Sequence, residues 1–113
     1  MISNFYRNKT VLITGHTGFK GAWLSLVLHS FGAKVHGISL NPYDRRGNLY
    51  NILGLKKIIK SNYLDLRNKA KLEKKINEIK PQMIFHLAAQ PLVIESYKNP
   101  IATIESNING LCN

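Results

Sequence analysis

Three glycines spaced three residues apart separate a short apolar run from a longer helical pattern, and this arrangement constrains the fold more than any other feature. The run at residues 10–13 is apolar and β-branched, which predicts a buried strand of a parallel sheet. Gly15, Gly18 and Gly21 predict a tight turn, and the residues that follow predict a buried helix ending at Gly32. Strand, glycine turn and helix form the unit that places the pyrophosphate of a dinucleotide at a helix N-terminus.

Each glycine of the turn has its own predicted role. Gly15 lets the chain reverse after the strand, Gly18 lacks a Cβ that would hold a pyrophosphate away from the backbone, and Gly21 lets the helix pack closely. The alternative is an ordinary glycine-rich loop between a strand and a helix. The strand and the helix stand where a nucleotide turn requires them, which favours the nucleotide turn.

The rest of the chain continues the alternation of strands and helices. Apolar segments at residues 33–40, 58–63 and 83–87 predict three further strands, and residues 68–80 and 101–110 predict helices. Residues 43–55 and 95–100 are expected to be loops, the first with a short helix. This order predicts an α/β fold: an incomplete Rossmann-type doubly wound parallel sheet with strand order 3-2-1-4.

The net charge of +10 raises nucleic acid as a partner. Most of the excess lies in a run where lysines alternate with apolar residues at helical spacing, which is typical of the solvated face of an amphipathic helix. The chain also has no zinc, helix-turn-helix or RNP signature. We therefore expect no nucleic-acid partner, and a salt-dependent shift with random DNA would support the opposite view.

Cysteine use and hydropathy indicate the compartment. Cys112 is the single cysteine, so no internal disulfide is expected, which fits a cytoplasmic protein. No apolar run approaches the roughly 18 residues of a membrane span, and the first residues do not resemble a secretory signal. We expect neither a membrane nor a metal site.

The carboxyl ends of the predicted strands offer candidate ligand contacts, because ligands bind there in parallel sheets. Asn41 ends the second strand, where an acidic residue favours NAD and a nearby arginine, as in the segment 44–46, favours NADP. Asp65 ends the third strand and could accept a hydrogen bond from the adenine amine, or could simply cap a loop. Ala88 and Ala89 leave room for a nicotinamide ribose beside the fourth strand, and His86 is interpreted as a core histidine.

Several motifs together resemble one protein family. They are residues 14–24 (TGHTGFKGAWL), 37–42 (GISLNP), 63–67 (YLDLR) and 86–93 (HLAAQPLV). Across almost the whole chain they resemble the extended short-chain dehydrogenase/reductases and, within that family, the CDP-glucose 4,6-dehydratases. The segment that begins at Gln90 and the residues His16 and Trp23 discriminate better than the glycines, which the whole family shares.

The resemblance implies a reaction and a set of site residues. Such enzymes use bound NAD to oxidise C4 of a nucleotide-linked hexose, eliminate water across C5 and C6, and return the hydride to C6. The implied cofactor contacts are Gly15, Thr17, Gly18, Phe19, Lys20, Gly21, Asn41, Asp65, Leu66, Leu87, Ala88 and Ala89. Gln90 would border the sugar, Asn107 would order the site, and the complete enzyme would be a homo-oligomer.

The sequence departs from the family pattern at three points. Asn41 stands where aspartate is usual, which leaves NAD or NADP open, and Ile94 replaces an arginine near the substrate region. None of the five tyrosines is followed by lysine four residues later, so the Tyr-x-x-x-Lys pair that supplies the base is missing. We therefore interpret residues 1–113 as the amino-terminal part of an NAD(P)-binding domain, without the catalytic segment or the substrate domain. The alternatives are a non-catalytic NAD(P)-binding module or another family member such as an epimerase or reductase.

Overall fold

A computed structural model describes residues 1–42 and 47–113. Four strands alternate with helices along these ranges. The strands are β1 (Thr10–Thr14), β2 (Lys34–Ser39), β3 (Lys60–Tyr63) and β4 (Met83–His86). The helices are α1 (Ile2–Tyr6), α2 (Phe19–Ser30), α3 (Leu49–Ile52), α4 (Lys69–Ile79), α5 (Val93–Lys98), α6 (Pro100–Ile104) and α7 (Gly110–Cys112), with a 3₁₀ turn at Leu55–Lys57 and a π-helical segment at Glu105–Asn109.

All four strands are parallel, and their order in the sheet is β3-β2-β1-β4. The predicted order 3-2-1-4 is therefore confirmed. Ile13 of β1 pairs with Gly37 of β2 on one side and with Phe85 of β4 on the other. Because the strands are parallel, the loops after β1, β2, β3 and β4 all emerge at one edge of the sheet.

Alternate residues of the strands pack on the two faces of the sheet. One face carries α2, α3 and a buried cluster that includes Val11, Ile13, Ala22 and Tyr50. The other face carries α4 and a smaller cluster formed by Leu12, Ile38, Leu66 and Leu72. Helices on both faces of a parallel sheet define the doubly wound arrangement.

The helix boundaries follow local chemistry. Helix α2 is followed by Phe31 and then by Gly32. The φ of Gly32 is +80°, in the left-handed region, as predicted for a helix cap. The Asn68 side chain accepts a hydrogen bond from the Lys71 amide (3.1 Å) at the start of α4, and Pro81 lies just beyond its end. No helix among the described residues has the length and apolar character needed to cross a bilayer.

One local prediction is wrong. Residues 95–100 were expected to form a loop, but α5 occupies most of this segment and α6 begins at Pro100. The Gln90 side chain makes two hydrogen bonds to the backbone of Leu92: it accepts from the Leu92 amide (2.6 Å) and donates to the Leu92 carbonyl (3.2 Å). The segment was missed because the apolar side chains of α5 are exposed and give no buried-face periodicity.

Candidate functional site

The glycine turn between β1 and α2 closes tightly on itself and on β4. Gly15 has a φ of +75°, and its amide donates to the Ile38 carbonyl (2.8 Å). A Cβ at Gly15 would lie 2.7 Å from the Ala88 nitrogen, and one at Gly21 would lie 2.1 Å from the Gly15 carbonyl oxygen. Both positions therefore require glycine. The close approach at Gly21 is to the turn's own backbone, which refines the predicted role in helix packing.

The start of α2 presents backbone amides that the helix itself does not use. The Ala22 amide donates to the Gly18 carbonyl (2.8 Å), so the amides of Phe19 and Lys20 precede this intrahelical bond. The side chains of Phe19 and Lys20 are exposed, as is Gly18. Since a helix N-terminus carries a partial positive charge, this edge is suited to an anionic group.

A hydroxyl pair joins the turn to the end of β2. The Thr17 Oγ1 and Ser39 Oγ atoms are 2.9 Å apart and share a hydrogen bond, and the Ser39 hydroxyl also lies 2.9 Å from the Leu40 carbonyl. Asn41 follows directly and is exposed. Thr17 and Asn41 thus lie at the same edge as the glycine turn. The mixed acidic and basic segment 44–46 lies outside the described residues.

Asp65 lies beyond the end of β3, as predicted, but its carboxylate already has a partner. Arg67 donates to both oxygens, with the shortest contact at 2.6 Å, and its backbone amide donates to Oδ1 (2.9 Å). These bonds lower the pKa of Asp65 below its ordinary value. Arg67 also lies 3.6 Å from a Glu105 carboxylate oxygen, and Leu66 is buried. Asp65 was predicted either to cap a loop or to accept a hydrogen bond from the adenine amine, and its bonds to Arg67 are compatible with both roles.

Thr14 fixes the end of β4 beside the turn. Its hydroxyl oxygen accepts from the amides of Leu87 (3.2 Å) and Ala88 (3.3 Å) and lies 2.8 Å from Nδ1 of His86. The Leu87 amide also donates to the Thr14 carbonyl oxygen (3.0 Å), so both the backbone and the side chain of Thr14 hold the chain that leaves β4. His86 is exposed, so its interpretation as a core histidine is wrong. Leu87, Ala88 and the exposed Ala89 follow at the predicted place.

Gln90 and Asn107 are brought together although 17 residues separate them. The Gln90 amide donates to Asn107 Oδ1 (2.7 Å), and Asn107 Nδ2 donates to the Gln90 carbonyl (3.1 Å). Asn107 lies in the π-helical segment, a distortion that is frequent at functional sites. The Gln90 side chain also donates to Thr103 Oγ1 (3.1 Å). The resemblance implies that Asn107 helps to order the active site, and in the structure its side chain bonds to the backbone of the loop after β4.

His16 has a larger structural part than the sequence suggested. Its side chain is fully buried, and Nε2 lies 3.0 Å from Ser61 Oγ on β3. Burial lowers the pKa of His16 to about 4, against a smaller opposing effect of the Ile38 backbone. An available signal was Gly37, because a lone glycine inside a strand indicates a close approach by another group.

The residues that the resemblance assigned to the cofactor all lie at or beyond the carboxyl edge of the sheet. The loop after β3, the end of β2, the glycine turn after β1 and the end of β4 lie along this edge in that order. No group of three or more histidine, cysteine, aspartate or glutamate side chains within residues 1–42 and 47–113 could hold a metal ion.

Comparison with known proteins identifies relatives of this arrangement. Residues 12–113 match the family model described as GDP-mannose 4,6 dehydratase. The chain is 46% identical over 107 residues to a CDP-glucose 4,6-dehydratase of Salmonella typhimurium, covering 95% of this chain and 30% of that protein. Among curated GDP-mannose 4,6-dehydratases, one from Arabidopsis thaliana is 32% identical over 90% of this chain and 29% of its own length.

Solved structures agree with the observed fold. A UDP-glucose 4-epimerase of Thermus thermophilus, determined in complex with NAD, superposes with a TM-score of 0.75 at 30% identity, covering 88% of this chain and 30% of that one. The chain therefore spans about 30% of the length of these relatives.

Proposed function

Because the chain belongs to the GDP-mannose 4,6-dehydratase family, we propose that it forms the NAD-binding part of a nucleotide-sugar 4,6-dehydratase. The observation that carries the proposal is the glycine turn, which exposes the amides at the start of α2 beside the ends of β1 and β4. The 46% identity to a CDP-glucose 4,6-dehydratase supports CDP-glucose as the substrate of the complete enzyme.

The residues at the sheet edge suit the parts of a dinucleotide. The amides of Phe19 and Lys20 would hold the pyrophosphate, because they carry no intrahelical bond and the missing Cβ of Gly18 leaves the backbone accessible. Asp65 and Leu66 would lie near the adenine. The matching residues on the other side of the turn are Leu87, Ala88 and Ala89, which would border the nicotinamide.

The chain's own residues would orient the reacting groups. When bound, the nicotinamide would take up the hydride from the sugar and later return it. Gln90, held by Asn107, would border the sugar. Residues 1–113 do not supply the Tyr-x-x-x-Lys base, since no tyrosine among them is followed by lysine four residues later. In the proposal the remainder of the complete enzyme, a cytoplasmic homo-oligomer, supplies that base.

NAD rather than NADP is the proposed cofactor. Asn41 is exposed at the end of β2 and carries an amide that can both accept from and donate to ribose hydroxyls. The UDP-glucose 4-epimerase of Thermus thermophilus, whose structure contains NAD, also supports NAD as the cofactor. Asn41 lacks the negative charge that would repel a ribose phosphate, so the preference over NADP is expected to be modest, about tenfold.

Calorimetric titration of the chain with NAD and NADP tests this proposal. A Gly18→Ala variant places its new Cβ 3.3 Å from the Gly15 carbonyl oxygen, a contact that small shifts can relieve, while covering the exposed amides. We expect NAD affinity to fall about tenfold with little change in melting temperature. Asn77→Ala, on the exposed face of α4, is the control that should bind NAD normally. Absence of NAD and NADP binding by the unaltered chain would overturn the proposal.

A non-catalytic NAD(P)-binding module is the second candidate. Such a module would need only the cofactor-binding edge described above, because binding without catalysis requires no base. The coding sequence after Asn113 distinguishes the two. An in-frame Tyr-x-x-x-Lys supports the dehydratase, and a stop codon supports the module.

A further inference from the structure

A polar network, buried at His16 and Tyr50 and partly buried at Ser61 and Tyr63, begins at the glycine turn. His16 follows Gly15, and its ring occupies the space that a side chain at position 37 would need. An ideal Cβ on Gly37 would lie 2.2 Å from His16 Cγ. Gly37 pairs with Ile13 on β1 and with Ser61 on β3. The histidine ring therefore lies across the middle of β2, between the strand that leads into the turn and the strand beyond.

Hydroxyl groups continue the network from the ring into the protein. His16 Nε2 bonds to Ser61 Oγ (3.0 Å), Ser61 Oγ to the Tyr50 hydroxyl (2.7 Å), and that hydroxyl to the one of Tyr63 (2.9 Å). The ring also contacts Tyr50 edge-on at 5.3 Å and stacks with Tyr63 at 6.3 Å between centroids. One residue of the turn is thus attached to β2, β3 and α3.

His16 and Tyr63 of this network are uncharged at neutral pH. Burial lowers the pKa of His16 to about 4, and burial together with the hydrogen bond from Tyr50 raises the pKa of Tyr63 to about 12. His16 Nδ1 is buried and has no hydrogen-bond partner among the described residues, so the ring is held by the Nε2–Ser61 bond and by its contacts with Tyr50 and Tyr63. Displacing the ring would leave Nε2 without a hydrogen bond as well, which favours one position of the ring.

We propose that His16 is a positioning residue for the cofactor: through Gly37 and Ser61 it fixes where the backbone of the glycine turn lies. This inference rests on the proposed NAD-binding function. The His16 ring is fully buried against Ser61 and acts on the amides of Phe19 and Lys20 through the backbone that joins them. An ordinary core residue would stabilise the fold without influencing how well the turn receives a pyrophosphate.

The test compares NAD affinity with thermal stability in substituted chains. Ser61→Ala removes the hydrogen-bond partner of His16 while leaving the ring in its place. His16→Leu keeps most of the volume without the bond, and His16→Gln keeps a polar group that can reach Ser61. We expect NAD binding to weaken about tenfold in Ser61→Ala and in His16→Leu, and His16→Gln to recover most of the affinity.

Val35→Ala is the matched control. Val35 is buried at the opposite end of β2 from the turn, so its truncation should lower the melting temperature while NAD affinity stays unchanged. If Ser61→Ala lowers the melting temperature as Val35→Ala does and binds NAD like the unaltered chain, His16 is only a core residue and the inference is wrong. If the unaltered chain binds no NAD, the proposed function fails first, so the two failures are distinguishable.

Discussion

The side-chain amide of Asn107 makes two hydrogen bonds to the backbone of Gln90: Oδ1 accepts from the Gln90 amide at 2.7 Å, and Nδ2 donates to the Gln90 carbonyl at 3.1 Å. This pair joins the helix after Pro100 to the loop that follows β4. The loop has few other tertiary attachments, because Pro91, Leu92 and the following residues are exposed. Its conformation therefore depends on two side chains, that of Asn107 and that of Gln90, which bonds to Leu92 and Thr103. The π-helical segment places the Asn107 side chain in reach of the loop.

Asn107→Asp should loosen this loop. Aspartate keeps the acceptor but replaces the donor by a charged oxygen facing the Gln90 carbonyl, so one bond is lost and a repulsion appears. We expect a cost of about 1–2 kcal/mol in stability of the loop and faster amide hydrogen exchange at Gln90. Asn109→Asp, in the same helical segment but exposed, is the control. Unchanged exchange at Gln90 in Asn107→Asp would contradict the assigned role.

Comparing Gly15→Ala with Gly47→Ala distinguishes the stability cost of a left-handed backbone conformation from the cost of a steric collision. Both glycines have a positive φ, +75° and +81°, but a Cβ at Gly15 would collide with Ala88 whereas one at Gly47 meets nothing within 4 Å. Gly47→Ala should cost about 1 kcal/mol, the price of the left-handed conformation. Gly15→Ala should cost about 3 kcal/mol or more, because β4 must also move. Chemical denaturation measures both, and equal costs would mean that the turn does not press on β4.

The sequence predicted the parts of the fold that local patterns determine. The strand, turn and helix around Gly15 follow from residue types within one short stretch, and the strand order is the one that the Rossmann-type fold has in common. The cap at Asn68 is equally local. Contacts between distant segments could not be predicted in the same way. The network of His16 depends on β2 and β3 lying side by side, and the pairing of Gln90 with Asn107 depends on where the last helix packs.

Two errors have a physical cause in exposure. The apolar strand around His86 predicts a core position for this residue, but β4 lies at the edge of the described sheet and its outer face is only partly covered. The sequence predicts a loop where α5 lies, because hydrophobic periodicity identifies only helices that bury a face. The Asp65–Arg67 pair was missed because salt bridges two residues apart depend on the loop conformation.

Stability should fall between about pH 6.5 and pH 4 because of His16. The ordinary histidine pKa is 6.5, and burial lowers that of His16 to about 4 in the folded protein. Below pH 6.5, His16 binds a proton in the unfolded chain but stays neutral in the folded chain. The free energy of unfolding therefore falls as the pH is lowered, by about 3 kcal/mol at pH 4. Denaturant melts at several pH values measure this change.

His16→Gln is the variant that isolates the effect, since glutamine does not titrate. Its pH dependence between 6.5 and 4 should be flatter than that of the unaltered chain. The lowered pKa of Asp65 does not interfere, because its contribution is lost only below its ordinary value of 3.8. His36, whose pKa is also lowered by burial, is present in both proteins and cancels in the comparison. Identical pH profiles would show that His16 is not the titrating group.

Self-association through α6 and the π-helical segment is the final expected property of this chain. Ile101 and Ile104 of α6 and Ile108 of the π-helical segment are 72%, 52% and 55% exposed, and exposed apolar side chains of this kind favour contact with a second copy. Sedimentation velocity should therefore reveal concentration-dependent association, and Ile104→Lys should weaken it about tenfold by placing a charge among these side chains. Ile52→Lys, on an equally exposed but isolated isoleucine of α3, should leave association unchanged. A chain that sediments as a monomer at every concentration would show that these isoleucines do not bind one another.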